Sequence, residues 1–178
     1  MEKKDEFKGI PKDYRSFYLS YTDNYEDSGF DKEYVEYLLN LLKNHPYDPD
    51  LQEPDVQNNI GTIFENGIIV KKDINKAVYW YERAVDQGDD LAKSNLADIL
   101  RKGSQGYPKD LKRAFELYKS CGLPYAHYRV GEFYEQGWGV EQNIDEAKRY
   151  YRLAYKERHA LAIKKLEKFD FLHWPTVP

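Results

Sequence analysis

Cysteine is almost absent from this chain, because Cys121 is the single copy among 178 residues. One cysteine cannot form an intramolecular disulfide and leaves too few thiolates for a structural zinc site. A reducing compartment is therefore the expected environment. Apolar runs are also short, far below the ~20 residues that cross a bilayer. The first ten residues, MEKKDEFKGI, lack the apolar core of a secretory signal. These absences predict a cytoplasmic protein that does not bind a membrane.

Histidine is scarce as well, and its four copies lie far apart in the sequence. No two of them have the i, i+4 spacing or the His/Cys clustering of a metal site. Gly137-Trp138-Gly139 lacks the lysine and the serine or threonine of a phosphate-binding loop. We therefore expect no catalytic residue, no metal and no cofactor, and a protein that is not an enzyme.

Charge is unevenly distributed along the chain, whose net charge is −4. Residues 1–66 carry 7 Lys+Arg against 15 Asp+Glu, while the remainder carries 20 against 16. The overall sign gives no reason to expect direct binding to a nucleic acid. The acidic front end suits a positively charged partner, although a solvated acidic surface explains it equally well.

Residues 1–54 are interpreted as an acidic, tyrosine-rich helical cap followed by a linker. A helix after Pro11 would carry an aromatic stripe, which either caps the fold or contacts a partner. Its members are Tyr14, Phe17, Tyr18, Tyr21 and Tyr25. A second helix is predicted over Asp31–Asn44, with Asp31 as its N-cap. Three prolines within His45–Pro54 indicate an irregular linker.

The rest of the chain is organised by a repeat. Small and bulky apolar residues recur at i, i+4, i+5 and i+8, and each copy ends on a glycine. A turn, an Asp or Asn with N-cap character and a second helical pattern follow each time. The matching segments start at Val56, Ala92 and Ala126. Self-similarity at intervals of about 34 to 37 residues is typical of a helical solenoid with two helices, A and B, in each repeat.

The predicted fold is therefore all-α, an α/α superhelical solenoid of about three repeats with helical caps at both ends. The repeats are assigned to residues 55–91, 92–125 and 126–161, a C-terminal capping helix extends the repeat region to 169, and 170–178 form a tail. The residue at i+5 is small so that the paired helix can approach, and Gly131 holds this position in the third repeat. Cys121 takes a position held by alanine in the other repeats, which predicts a buried, inert thiol.

The third copy, AHYRVGEFYEQGWGVEQNIDEAKRYYRLA at residues 126–154, resembles the Sel-one-like repeat family, which is related to the tetratricopeptide repeats. The resemblance covers residues 55–169, and the middle repeat departs from it because its turn lacks the Gly-x-Gly-Val form. It implies a helical superhelix that binds other proteins as an adaptor, regulator or inhibitor. Small cytosolic members also look like immunity proteins that neutralise bacterial toxins.

The A helices of such solenoids line the usual binding surface. Helical phase then selects the A-helix positions that are not core. The predicted partner-binding residues are Asn58, Thr62, Glu65, Ser94, Asp98, Arg101, Tyr128, Glu132, Glu135, Lys164 and Lys168, with Trp138 from the third turn. This set is polar and mixed in charge, which suits a folded protein or a charged peptide. Trp138 is interpreted either as an exposed contact or as packing against the turn of a neighbouring repeat.

Two functions follow from these observations. In the first, the chain is a cytosolic immunity protein that neutralises a cognate bacterial toxin by binding a basic toxin or nuclease domain. In the second, it is an adaptor or scaffold that binds peptide segments of a signalling or secretion complex. Small size, charge distribution and family analogy favour the first. Both predict a protein partner and a chain that is monomeric when free.

Overall fold

The computed structural model describes residues 29–103 and 106–169, and within those ranges it contains eight α-helices and no strand. The helices are α1 (Lys32–Asn44), α2 (Pro54–Asn66), α3 (Ile74–Asp86), α4 (Asp90–Lys102), α5 (Leu111–Lys119), α6 (Pro124–Gln136), α7 (Ile144–Lys156) and α8 (Ala160–Lys168). None of these described helices is both long and apolar enough to cross a membrane. The predicted tyrosine stripe and the tail at 170–178 lie outside the described residues.

Two compact units make up the chain, and the division falls within α3, between Trp80 and Tyr81. In the first unit α1 begins as predicted, because the Asp31 carboxylate accepts a hydrogen bond from the Glu33 N–H at 2.7 Å. Val35 and Leu38 are fully buried on its inner face. The predicted second helix is therefore confirmed.

The linker at 45–54 is more ordered than its three prolines suggest. It contains a short 3₁₀ helix, Pro49–Gln52, whose first N–H groups are capped by Asp48. Leu51 is buried, and its carbonyl accepts a hydrogen bond from Gln57 in α2. The predicted linker therefore contains one ordered 3₁₀ turn, in which a single leucine is buried.

Each repeat closes its turn with the same backbone contacts. Gly67, Gly103 and Gly137 follow the A helices in the left-handed conformation, with φ of 73°, 70° and 70°. The residue that precedes each B helix donates its backbone N–H to the A-helix carbonyl three positions before that glycine, at 2.9 Å in all three repeats. Its side chain also accepts a backbone hydrogen bond from the first turn of the B helix, as predicted. These residues are Asp73, Asp110 and Asn143.

In the second unit α4 packs on α5, α5 on α6, α6 on α7 and α7 on α8. The predicted close approach at Gly131 is confirmed, because a Cβ there would lie 2.6 Å from Cε1 of the fully buried Tyr151. Cys121 is buried, as expected from its alanine-equivalent position. The middle B helix, α5, has 9 residues where α7 has 13.

Helix α8 repeats the A-helix pattern at the carboxyl end of the repeats. Ala162 and Leu166 are buried in one cluster with Tyr128 and Tyr151. Glu167, which takes the place of the small residue in the other A helices, is exposed. This arrangement agrees with a capping helix, since no B helix among the described elements packs at this position.

Candidate functional site

The structure corrects the predicted binding surface at four positions. Asn58, Ser94, Tyr128 and Glu135 are buried, with 5–6% of each residue exposed. Half-buried side chains belong to Thr62, Glu65, Asp98, Arg101 and Glu132, while Trp138, Lys164 and Lys168 are exposed. Partner contact by these last eight residues stays a prediction.

Tyr128 shows why helical phase alone failed. Its ring lies against Tyr151 at 5.7 Å between centroids and stacks on His159 at 4.9 Å. The Tyr128 side chain also belongs to the cluster that contains Ala162 of α8. A position on α6 that helical phase assigned to the surface is therefore covered both by its own B helix α7 and by the start of the next A helix.

Trp138 is placed in a way that neither interpretation specified. Its ring meets Phe133, in the A helix of its own repeat, edge to face at 5.7 Å. It nevertheless remains 36% exposed. The close contact with the neighbouring repeat is made instead by Gly139, where a Cβ would lie 2.6 Å from the backbone of Leu111 at the start of α5.

Polar side chains of α4 and α6 form the first half of a continuous network. The Asp98 carboxylate accepts hydrogen bonds from Arg101 at 2.8 Å, from the Tyr118 hydroxyl at 2.9 Å and from the Tyr125 hydroxyl at 2.8 Å. Nε of Arg129 in turn donates to the Tyr125 oxygen at 2.7 Å. Tyr125 therefore links the two arginines through Asp98.

The network continues along α6 to α8 through Glu132. This carboxylate accepts hydrogen bonds from Arg129 at 2.6 Å and from the Tyr128 hydroxyl at 3.0 Å. Nζ of Lys165 in α8 lies 3.5 Å from Oε1 of Glu132, the same oxygen that accepts the Tyr128 hydrogen bond. Only 15% of the Glu132 side chain is exposed, so it is a structural member of the network as well as part of the surface.

Glu135 ends the network in a buried position. Its carboxylate accepts hydrogen bonds from the Tyr151 hydroxyl at 2.6 Å, from Lys165 at 2.7 Å and from Lys168 at 3.2 Å. Two helices, α7 and α8, are thereby attached to the end of α6. A buried carboxylate is tolerated here because hydrogen bonds and cations surround it.

Ionisation states in the network follow from burial and from the neighbouring charges. Burial by itself raises the pKa of Asp98 and of Glu135, but the surrounding cations and hydrogen bonds reverse this and leave each pKa lowered. Burial and adjacent carboxylates raise the pKa of Tyr125, Tyr128 and Tyr151. Asp98 and Glu135 are thus ionised at neutral pH, and these tyrosine hydroxyls keep the protons that they donate.

We call these side chains the A-face network, since all but two of them stand on A helices. Its charged members are Asp98, Arg101, Arg129, Glu132, Glu135, Lys165 and Lys168, with Tyr118, Tyr125, Tyr128 and Tyr151 as hydroxyl donors. Lys102 also acts electrostatically on Asp98. Five cations therefore accompany three carboxylates, which leaves an excess of two positive charges.

Sequence reasoning missed three central members, Tyr125, Arg129 and Lys165. A signal for one of them was available, because Asp98–Arg101 and Arg129–Glu132 are both pairs of opposite charge at i, i+3 on an A helix. The tyrosine and the lysine gave no such signal. Their roles depend on contacts across 27 and 30 residues of sequence.

The described residues hold no cluster of three or more His, Cys, Asp or Glu side chains that could bind a metal. Burial raises the pKa of the Cys121 thiol to about 11, and its Sγ donates to the Asp90 carbonyl. A thiol in this state is not an activated nucleophile.

The repeat geometry agrees with a family comparison. The profile of the Sel1 repeat, the family named Sel-one-like above, matches residues 54–89, 91–120 and 124–159. The chain is a Sel1 repeat protein. The three matched segments coincide with the helix pairs α2–α3, α4–α5 and α6–α7, and the predicted family and solenoid fold are confirmed.

Relatives of this Sel1 repeat protein include regulators and a component of a larger complex. It is 31% identical over 116 residues to the chitin synthase regulator SKT5 of Saccharomyces cerevisiae, covering 62% of this chain and 17% of that protein. It is 31% identical over 107 residues to HRD3 of Candida glabrata, an ERAD-associated E3 ubiquitin-protein ligase component, covering 55% of this chain and 12% of that protein. The match therefore spans less than a fifth of either relative.

A solved Sel1 repeat protein from Oxalobacter formigenes has a similar structure, with a TM-score of 0.63 and 28% identity over 73% of this chain and 52% of that one. Together the family and the relatives support the coarser prediction, a repeat module for protein interaction. None of these three names describes a toxin inhibitor, so the relatives favour the adaptor over the immunity protein.

Proposed function

We propose that this Sel1 repeat protein is a non-catalytic adaptor whose second unit binds a peptide segment of a partner protein along helices α4, α6 and α8. The observation that carries the proposal is the A-face network, which runs without a break from Asp98 on α4 to Lys168 on α8. The names of the relatives, a regulator and a complex component, support the same role.

The network favours peptide binding because it fixes polar groups before any partner arrives. Arg129, for example, is held by hydrogen bonds to Tyr125 and Glu132, and its guanidinium lies 4.7 Å from the Tyr125 ring centroid. A rigid donor loses little conformational entropy when it meets a ligand. Such a surface can hold a flexible peptide, because the protein supplies the fixed groups and the peptide has no fixed conformation of its own.

An immunity protein is expected to work differently. It forms one tight complex with one folded toxin, whereas an adaptor binds short segments with moderate affinity. Dissociation constants near 1 μM and near 1 nM correspond to about −8 and −12 kcal/mol, so a binding assay separates the two functions.

A peptide-display selection on the full chain tests the proposal. We expect short, unrelated sequences to be enriched, to bind with micromolar Kd in isothermal titration calorimetry, and to compete with one another for one surface. Photo-crosslinkable versions of the best peptides, mapped by mass spectrometry, should mark α4, α6 and α8.

Two results would oppose this function. If no peptide is enriched and one folded domain binds with nanomolar Kd, the immunity-protein function would be favoured over the adaptor. Cross-links confined to the B helices α5 and α7 would show that peptides bind elsewhere.

A further inference from the structure

We infer that the segment bound by the A-face network is acidic and that its side-chain carboxylates are held by Arg129 and the cations beside it. This inference rests on the proposed function, because it names the chemistry of the same partner. It follows from an imbalance between the acceptors and the donors of the network.

The acceptors of the network are already surrounded by donors. Asp98, Glu132 and Glu135 each receive three donor groups from the protein, at distances of 2.6–3.5 Å. A basic or hydroxyl-rich segment would have to displace these donors before it could bind the carboxylates. The network is therefore poorly suited to a cationic ligand.

Donors, by contrast, remain available on Arg129. A guanidinium carries five N–H groups. Two of them bond Tyr125 and Glu132, and within the described part of the chain the other three have no hydrogen-bond partner. The side chain is 21% exposed, so these N–H groups can meet a ligand. Carboxylate is the group whose geometry best matches the planar fork of an arginine.

Neighbouring charges strengthen this preference. Arg101 lies close enough to Arg129 for the two guanidiniums to repel each other electrostatically. Lys168 is 66% exposed, and its one hydrogen bond within the described residues goes to Glu135. The network has two more cations than carboxylates, so an incoming carboxylate relieves like-charge repulsion as well as gaining hydrogen bonds.

His159 limits how much additional charge the surface can acquire. It stacks on Tyr128, and burial together with nearby Arg129 lowers its pKa, with Glu132 opposing this. Its ring is therefore neutral at pH 7, and the arginines and lysines named above supply the positive charge. We therefore expect binding to change little between pH 6.5 and 8.

The test uses twelve-residue peptides enriched by the display selection, synthesised with a fluorophore and titrated with the full chain by fluorescence anisotropy. We expect Asp and Glu to be enriched in the selected sequences. Replacing every Asp and Glu of the tightest binder by Asn and Gln should weaken binding at least tenfold. Raising the salt concentration from 50 to 300 mM should weaken binding of the acidic peptide and leave binding of the amide peptide nearly unchanged.

Variants locate the contact. Arg129→Lys keeps the positive charge but removes the forked N–H donors of the guanidinium. It should weaken binding of the acidic peptide about tenfold. Lys168→Gln, at an exposed position, should weaken binding of the acidic peptide a few-fold in a chain that still unfolds cooperatively. The matched control is Arg149→Lys, since Arg149 also pairs with a carboxylate at i−3 but lies on the B helix α7.

The outcomes separate the inference from the function on which it rests. The selected peptides could bind tightly yet be neutral or basic, and their binding could be the same in both variants. That result would refute the acidic segment but would leave the adaptor function standing. Failure of every peptide, whatever its charge, would overturn both. A ten-nucleotide single-stranded DNA that displaces the acidic peptide at equal or lower concentration would assign the surface to nucleic acid instead.

Discussion

Glu135→Ala gives the strongest test of the A-face network, because Glu135 is the buried carboxylate that attaches two helices to the end of α6. The substitution removes the acceptor of the Tyr151 hydroxyl and the partner of Lys165 and Lys168 at the same time. The prediction is a marked loss of stability from a residue that the sequence alone assigned to the surface.

The expected magnitude can be worked out contact by contact. Tyr151 is fully buried, so its hydroxyl would lose its partner without access to water, which costs about 1–3 kcal/mol. Lys165 is 24% exposed and retains Glu132 at 3.5 Å, which reduces the cost of losing its bond. The exposed Lys168 pair contributes at most about 1 kcal/mol. The total is a loss of about 2–4 kcal/mol in the free energy of unfolding.

Urea unfolding followed by far-ultraviolet circular dichroism measures this change. Glu135→Gln should recover about half of the loss, because an amide oxygen can still accept the tyrosine hydrogen bond. Glu167→Ala serves as the control, since Glu167 is an exposed glutamate on α8 and its removal should change stability by less than about 0.5 kcal/mol. If Glu135→Ala and Glu167→Ala behave alike, the buried network does not hold these helices together.

The pH dependence of the same variants provides a second measurement. The pKa of Glu135 is lowered from its usual value of 4.5 in the folded chain, so its ion pairs stabilise the fold above the unfolded-state pKa. That contribution is lost as the pH falls through the folded-state pKa. The stability difference between wild type and Glu135→Gln should therefore shrink below about pH 4.5. A difference that stays constant from pH 7 to pH 3 would contradict the assignment.

The remaining predictions concern glycines in the third repeat. Gly131→Val should lower the free energy of unfolding by about 1–3 kcal/mol, because even a Cβ would lie 2.6 Å from the fully buried ring of Tyr151. An unchanged urea midpoint would show that the ring can move aside. Gly139→Ala should cost more than Gly88→Ala by about 1–3 kcal/mol, since both have positive φ but only the first would meet backbone, that of Leu111, at 2.6 Å. Equal losses in thermal unfolding would mean that left-handed strain alone sets the cost.

The relatives support a different function from the one that the bulk properties of the chain suggest. Small size and an acidic front end are bulk properties, which fit an inhibitor of a basic toxin but fit many other proteins as well. The names of SKT5 and HRD3 describe a regulator and a complex component. The A-face network belongs to one unit, and its partly exposed cations are the basis of our proposal that it binds a short acidic segment.

The sequence by itself determined the local structure of the repeats. Helix ends are specified by the glycines at 67, 103 and 137 and by the N-caps at 73, 110 and 143. Apolar residues at helical spacing specify which helix faces pack. These features act over fewer than ten residues, so a repeated pattern reveals them. The family and the solenoid fold follow from the same short-range rules.

Only the tertiary structure decided which polar positions are exposed. Tyr128 and Glu135 have the helical phase of surface residues, yet α8 covers the first and supplies two lysines to the second. Leu51 likewise turns a proline-rich linker into a packed 3₁₀ helix. Helical phase describes how a residue faces its own helix pair, whereas burial and ionisation depend on the next helix in space, some 30 residues further along the chain.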